Sequence, residues 1–500
     1  MKIVLTSSEV VPFAKTGGLA DVAGALPREL EKLGHELTVF MPAYRCIGNS
    51  TEPIERTSTE FEIPVGNKVE TGQLLKSRIP NSETTIYFVA HSEYFNREGL
   101  YSEDGKDYQD NCERFTFFCR AVLESVRMLG IQPDIMHVND WQTALIPALL
   151  KCEYCEHPNF EKTSSLITIH NLAYQGNFER DKMALTGLDP KYFNWRQMEF
   201  YGHLNLLKTG IVFADSINTV SPTYAQEIQG HEQACGLQGV LQERANRLSG
   251  ILNGIDVSQW NPRTDKYLPA TFDENFDLET GHPGKAKCKH ELQVEAKIDP
   301  DPNVPLIGIV GRLASQKGWS LILPVLKEYL DSVDAQWVIL GTGEPDYHHV
   351  LTTLHRSHPR KLGLTLGFSN AYAHRIEAGA DMFVMPSQYE PCGLNQMYSM
   401  AYGTVPIVRR TGGLADTVIN ATHASIDNGT ANGFSFEEFI PSALEATIAK
   451  ALRMYSDNRR TWNQLSQTGM KRDWSWGSSA KQYEELYRHT AIRGSIESNQ

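Results

Sequence analysis

Short apolar, β-branched runs recur along the whole 500-residue chain, and amphipathic stretches with helical spacing separate them. The first set is KIVLT (2–6), ELTVF (36–40), DIMHV (134–138), SLITI (165–169), SINTV (216–220) and SGILN (249–253). The second is PLIGIV (305–310), QWVIL (336–340), LTLGF (364–368), DMFVM (381–385) and VPIVR (405–409). Strands this apolar are buried on both faces. Their alternation with helical stretches such as 112–129 and 141–151 therefore specifies parallel sheets covered by helices. The length exceeds what one core usually supports. The two sets, with a Pro-rich and polar region at 261–304 opening the second, predict two doubly wound α/β domains. Ligands of such sheets sit where strands end at their carboxyl edge. Function is to be sought in the loops that follow these runs.

A formal net charge of −13 argues against a protein that coats nucleic acid or an anionic membrane. It leaves room for a small anion held by local cations, or for a neutral polymer. The opening MKIVLTSSEV reads as a strand rather than a signal peptide, and no apolar stretch nears the roughly 20 residues that span a bilayer. Eight cysteines are scattered, and the lone CxxC of Cys152 and Cys155 lacks the second ligand pair that zinc requires. A reduced, cytoplasmic protein is the expectation. Asp299-Pro300-Asp301 spells DxD, which holds a metal in another class of sugar transferase. Its polar, Pro-rich setting reads instead as a solvated loop, and no metal is assigned.

TGGLAD occurs twice, at 16–21 and 411–416, each time after an apolar run and before a helical pattern. In the first copy Lys15 precedes Gly17 and Gly18. A glycine pair at a strand-to-helix turn lets backbone N–H groups approach a phosphate; it equally serves a tight turn. Pro27 is expected to bend or interrupt the helix that follows. The second copy follows Arg409 and Arg410, and a cleft-facing or purely structural role stays open for it. The GRLASQKG stretch sets Arg312 and Lys317 after a strand, suited to an anionic leaving group or to solvent. In EPCGLNQ, Glu390 stands beside a glycine turn at a helix start, where it could bind sugar hydroxyls or cap the helix. Asp140 and His170 each follow a strand end.

Together these segments resemble the bacterial and plant glycogen/starch synthases, the ADP-glucose-dependent glycosyltransferase family 5. The matching stretches are KTGGLADVAGALP (15–27), DNCERFTFF (110–118), HVNDWQTAL (137–145), IHNLAYQG (169–176), TVSPTYAQEI (219–228), GILNGID (250–256), GRLASQKG (311–318), EPCGLNQMY (390–398) and YGTVPIVRRTGGLADTV (402–418). They run in order through nearly the whole chain and are specific as a set. The resemblance implies a GT-B fold, two Rossmann-like doubly wound parallel-sheet domains facing across a deep cleft. The acceptor-side domain would be 1–255, joined by a C-terminal helix at 476–490. The donor-side domain would be 256–475, and 491–500 a disordered tail.

The implied reaction moves glucose from ADP-glucose to the 4-hydroxyl at the non-reducing end of an α-1,4-glucan, with retention and without cofactor or metal. The implied location is the cytoplasm, or a plastid stroma for a plant-like source. Carried over position by position, Lys15, Gly17 and Gly18 would contact the donor diphosphate or sugar. Arg312 and Lys317 would neutralise the departing diphosphate. Glu390 would hold the transferred glucose, with Cys392, Gly393 and Leu394 beside it. His170 would contact the sugar near the reacting carbon, and Asp140 would lie toward the acceptor. Phe368 would stack on adenine, and Asn253 would stand near the domain junction. The wider superfamily often carries a second Glu eight positions after the first; here that position is Tyr398. Rival readings are a phosphorylase, which needs a lysine-bound pyridoxal phosphate, another GT-B transferase of the sucrose type, and a silent glucan-binding protein.

Overall fold

A computed structural model describes residues 1–497, which divide into two compact units. Residues 1–253 and the C-terminal segment from Trp476 form the first, and Gly254–Ser475 the second.

The first unit is built on a nine-stranded sheet. Its strands are β1 (Lys2–Thr6), β2 (Glu36–Pro42), β3 (Glu55–Val65), β4 (Lys68–Arg78), β5 (Thr85–Ala90), β6 (Ile135–Asn139), β7 (Ser164–Ile169), β8 (Ser216–Thr219) and β9 (Leu248–Gly250). They lie in the order β9-β8-β7-β6-β1-β2-β5-β4-β3. All neighbours from β9 to β5 are parallel. The β3–β4 hairpin and the β4–β5 pair are antiparallel. That hairpin is absent from the sequence reading because its strands are long and half exposed. Its signals are the alternating burial of ERTSTEFEIPV and the Gly66-Asn67 turn. SGILN pairs only over its first residues, so β9 ends at Gly250 and Ile251–Asn253 form a loop.

Helix α1 (Gly18–Lys32) is not interrupted at Pro27. Proline removes one backbone donor, and burial of Leu26, Pro27 and Leu30 on one face holds the helix through that loss. Helix α2 (Asn111–Met128) covers the sheet with a nearly continuous buried face. The C-terminal helix α3 (Trp476–Glu497) belongs to this unit. Trp476, Tyr483 and Tyr487 enter its core, Tyr487 Oη meets His137 Nδ1 at 2.9 Å, and Asn218 donates to Tyr483 Oη at 3.0 Å. Residues 491–497, expected as the start of a disordered tail, continue the helix. Arg493 donates to Ser216 Oγ and the Asn246 carbonyl, contacts that hold this stretch in the helix. Residues 498–500 of that expected tail lie outside the described residues.

The second unit carries a six-stranded, wholly parallel sheet of β10 (Leu306–Val310), β11 (Gln336–Gly341), β12 (Leu362–Leu366), β13 (Met382–Met385), β14 (Val405–Arg409) and β15 (Phe434–Phe436). The order is β12-β11-β10-β13-β14-β15. A separate core fills this unit, with Trp319, Trp337 and Trp462 among its largest members. Among the described residues no helix is long and apolar enough to cross a membrane.

Candidate functional site

Among the parallel strands of each sheet the order reverses once, between β1 and β6 in the first unit and between β10 and β13 in the second. At such a reversal the loops leave in opposite directions and open a crevice at the carboxyl edge. Loops after β1, β6 and β7 carry Lys15, Gly17, Gly18, Asp140 and His170; loops after β10 and β13 carry Arg312, Lys317, Glu390, Cys392, Gly393 and Leu394.

In the first unit the loop after β1 closes on Glu9. This buried carboxylate accepts from the N–H of Thr16 at 2.5 Å, the hydroxyl of Thr16 at 2.6 Å, the N–H of Gly17 at 3.2 Å and the hydroxyl of Tyr101 at 2.7 Å. A buried carboxylate needs such partners, and they fix the entry into α1. Glu9 therefore already holds the Gly17 N–H that the sequence reading offered to a phosphate. Lys15 forms an exposed ion pair with Asp21 at 2.7 Å.

Asp140 stands just past β6 with a φ of +55°, a left-handed conformation that Asp tolerates better than most residues. Its N–H donates to the Thr168 carbonyl at 3.0 Å, and its carboxyl accepts from the N–H of His170 at 2.7 Å, tying the ends of β6 and β7 together. Burial pushes the Asp140 carboxyl up to about 7, against the pull of the His170 and Asn171 N–H groups. Burial pushes the His170 imidazole down to about 3, so it is neutral at neutral pH. Its Nε2 lies 2.9 Å from Asn139 Oδ1. Asn253 is buried at the end of this unit, and its side-chain oxygen has no hydrogen-bond partner among the described residues.

In the second unit Arg312, Lys317, Ser387, Glu390, Gly393 and Leu394 line one cavity. Lys317 Nζ donates to Glu390 Oε2 at 2.5 Å, and Ser387 Oγ donates to the same oxygen at 2.9 Å. Gln316 bridges the two loops: its side-chain oxygen accepts from Arg312 at 3.1 Å and its nitrogen donates to the Tyr389 carbonyl at 3.0 Å. Gln396 donates to the carbonyls of Cys392 and Gly393, fixing the turn between Glu390 and the short helix α4 (Asn395–Ala401). Phe368 lies two residues past β12, is 89 % exposed, and has no ring partner among the described residues. Tyr398 stacks on Trp260 at 3.7 Å, and Trp260 stacks in turn on His374 at 3.7 Å, so an aromatic pile fills the position of a second carboxylate.

The second TGGLAD forms helix α5 (Gly412–Thr417) and packs on the Glu390 turn. The N–H of Gly413 donates to the carbonyls of Glu390 and Pro391, both at 3.2 Å. A Cβ at Gly412 would stand 2.0 Å from the Glu390 carbonyl oxygen, and one at Gly413 would stand 2.1 Å from that of Cys392. Arg409 donates to the Gln388 carbonyl at 2.6 Å, and Arg410 pairs with Glu437 at 3.0 Å. The second copy thus supports a site loop, whereas a Cβ on Gly17 would meet nothing within 4 Å.

Glu9, Asn139, Gln316 and Ser387 were not singled out as site residues in the sequence. Gln316 and Ser387 stand beside residues that were, and strand-end position was the available signal. Glu9 also follows a strand end, but its role depends in part on Tyr101, which is remote in the chain. Asp301 accepts from the Asn303 N–H, and Asp299 pairs loosely with Arg360, so the DxD takes local turn roles. All eight cysteines are thiols.

The family described as starch synthase catalytic domain matches residues 2–243, and that described as glycosyl transferases group 1 matches residues 292–468. The glycogen synthase of Rhodopirellula baltica is 45% identical over 500 residues, covering 98% of each chain. That of Syntrophotalea carbinolica is 44% identical over 488 residues, again covering 98% of each. Among solved structures, the catalytic domain of starch synthase IV from Arabidopsis thaliana, bound to ADP and acarbose, superposes with a TM-score of 0.89 at 33% identity, covering 98% of this chain and 99% of that one. Sucrose-phosphate synthase from Thermosynechococcus elongatus shares the fold at a TM-score of 0.58 and 17% identity, covering 98% of both chains.

Proposed function

The chain belongs to the glycogen and starch synthase family, a GT-B hexosyltransferase that lengthens a glucan by glucosyl transfer, and on that premise we propose that its donor is ADP-glucose. The acceptor is the non-reducing-end 4-hydroxyl of an α-1,4-glucan, and the configuration at the anomeric carbon is retained. The ADP and acarbose held by the Arabidopsis relative support both the nucleotide and the glucan.

The observation that carries this reading is the Glu390 carboxylate. Lys317 and Ser387 both occupy Oε2, which leaves Oε1 to accept from a hydroxyl of the transferred glucose. Lys317 and Arg312 share that cavity. As the bond to the donor breaks, negative charge develops on the diphosphate, and fixed cations there lower the barrier as an oxyanion hole does. The glucosyl centre becomes oxocarbenium-like. Tyr398 is stacked and supplies no second carboxylate, so attack proceeds from the face that the diphosphate leaves, with a donor phosphate oxygen taking the acceptor proton. His170, neutral and buried, serves as a sugar ligand rather than an acid, and Asp140 positions it. With two side-chain cations on the leaving group, transfer needs no metal, and activity is expected to persist in EDTA. Eight free thiols suit work in a reducing compartment such as the cytoplasm.

Incubating the protein with glycogen and either ADP-[¹⁴C]glucose or UDP-[¹⁴C]glucose tests the donor. Label is expected in the polymer from the adenine donor. Incorporation from the uracil donor alone overturns the assignment.

A further inference from the structure

We propose that Asn139 is a positioning residue that sets the tautomer of His170, placing its single ring proton on Nε2 and leaving Nδ1 as a hydrogen-bond acceptor. The argument is one of donors and acceptors. Asn139 is the last residue of β6 and is buried. Its Nδ2 lies 3.1 Å from the Thr6 carbonyl at the end of β1. A carbonyl only accepts, so the nitrogen of the amide must face Thr6 and the oxygen must face the other way. That oxygen is 2.9 Å from His170 Nε2. An amide oxygen also only accepts, so Nε2 must carry hydrogen.

The backbone of Asn139 cannot turn to relieve this arrangement. Its N–H donates to Thr143 Oγ1 at 2.7 Å, and that hydroxyl returns a bond to the Asn139 carbonyl at 2.8 Å. The His170 backbone is held by Asp140 at 2.7 Å. Burial keeps the ring neutral. A neutral imidazole with hydrogen on Nε2 presents a lone pair at Nδ1, and among the described residues Nδ1 has no protein partner. This edge of the ring accepts from a hydroxyl and rejects an acceptor such as a phosphate oxygen. The selectivity rests on the reading above, in which His170 meets the sugar; the tautomer itself does not.

The test uses the full-length protein labelled with ¹⁵N-histidine, with the His170→Gln spectrum identifying the His170 signals. Two-bond proton–nitrogen correlations distinguish the neutral tautomers, and the wild-type ring is expected as Nε2–H. Asn139→Leu removes the acceptor, so Nδ1–H is expected to appear and kcat to fall about 10-fold. Asn139→Asp keeps an acceptor opposite Nε2 while losing the donor to the Thr6 carbonyl, and is expected to keep hydrogen on Nε2. A wild-type ring protonated at Nδ1 overturns the proposal without any variant. So does an Asn139→Leu protein that loses activity while keeping Nε2–H, since the residue would then be merely structural. A changed tautomer with unchanged transfer upholds the role of Asn139 and overturns His170 as a sugar ligand.

Discussion

Lys317 is asked to do two things: hold Glu390 in place and neutralise a diphosphate. The first is visible as a 2.5 Å contact between half-buried Lys317 and buried Glu390. If the second is also true, Lys317→Ala loses a donor whose value rises as charge develops, and kcat falls about 10²–10³-fold while the fold survives. Far-UV circular dichroism and single-turnover transfer check both halves. Turnover within about 3-fold of wild type removes Lys317 from the diphosphate. Ser387 holds Glu390 by one hydrogen bond. Ser387→Ala deletes one hydrogen bond to a charged group, and an effect of roughly 10-fold on kcat is expected, well short of the lysine. An equal loss in both variants would mean that orientation of Glu390, not charge on the leaving group, is what Lys317 supplies.

The two TGGLAD elements make the same local structure for different reasons, and substitution separates them. Gly17 has a φ of −150°, extended backbone open to any residue, and space where a Cβ would go. Gly17→Ala is therefore expected to leave stability within about 0.5 kcal/mol, so any loss of transfer reports a ligand contact at that loop. Gly413→Ala drives a Cβ into the Cys392 carbonyl, and overpacking of that kind costs about 1–3 kcal/mol while displacing the Glu390 turn. Urea unfolding followed alongside kcat distinguishes the outcomes. An unchanged Gly413→Ala protein would show that the turn does not depend on α5. The hexapeptide is legible in the sequence, but its two roles are not, because the second depends on β13 and β14 lying side by side. The same limit explains other gaps. Arg312, Lys317 and Glu390 are readable because a parallel strand ends before each. Glu9 is not, since its partners include Tyr101 from far along the chain. Asn139 is not, because its role lies in which way an amide faces. The β3–β4 hairpin is not legible from apolar runs because its strands are half exposed, and Pro27 does not end α1 because tertiary burial outweighs one lost donor.

At the scale of the whole chain, the two units have separate cores and different titratable groups, so acid should act on them differently. In the first unit His137 and His170 are both buried and pushed down to about 3. Unfolded, each takes up a proton near 6.5; folded, neither does until about 3, so each contributes stability that is lost as the pH falls through that window. Asp140 opposes them. Its carboxyl, pushed up to about 7, keeps a proton in the folded state that the unfolded chain releases near 3.9, so its contribution falls as the pH rises. Around pH 5 the three groups leave a net uptake of about one proton on unfolding, a loss of about 1.4 kcal/mol per pH unit on acidification. His137 also anchors α3 through Tyr487 and bonds Thr168, so its neutral form is built into how the C-terminal helix joins this unit. Hydrogen exchange of peptides from β6 and β7 in urea, at pH 4.5, 5.5 and 6.5, measures this slope for the first unit alone. His137→Gln removes one proton from the balance and is expected to flatten the slope. Asp140→Asn removes the opposing group and is expected to double it to about two protons. Variants that share the wild-type slope would place the acid sensitivity of this unit elsewhere than at the ends of its two central strands.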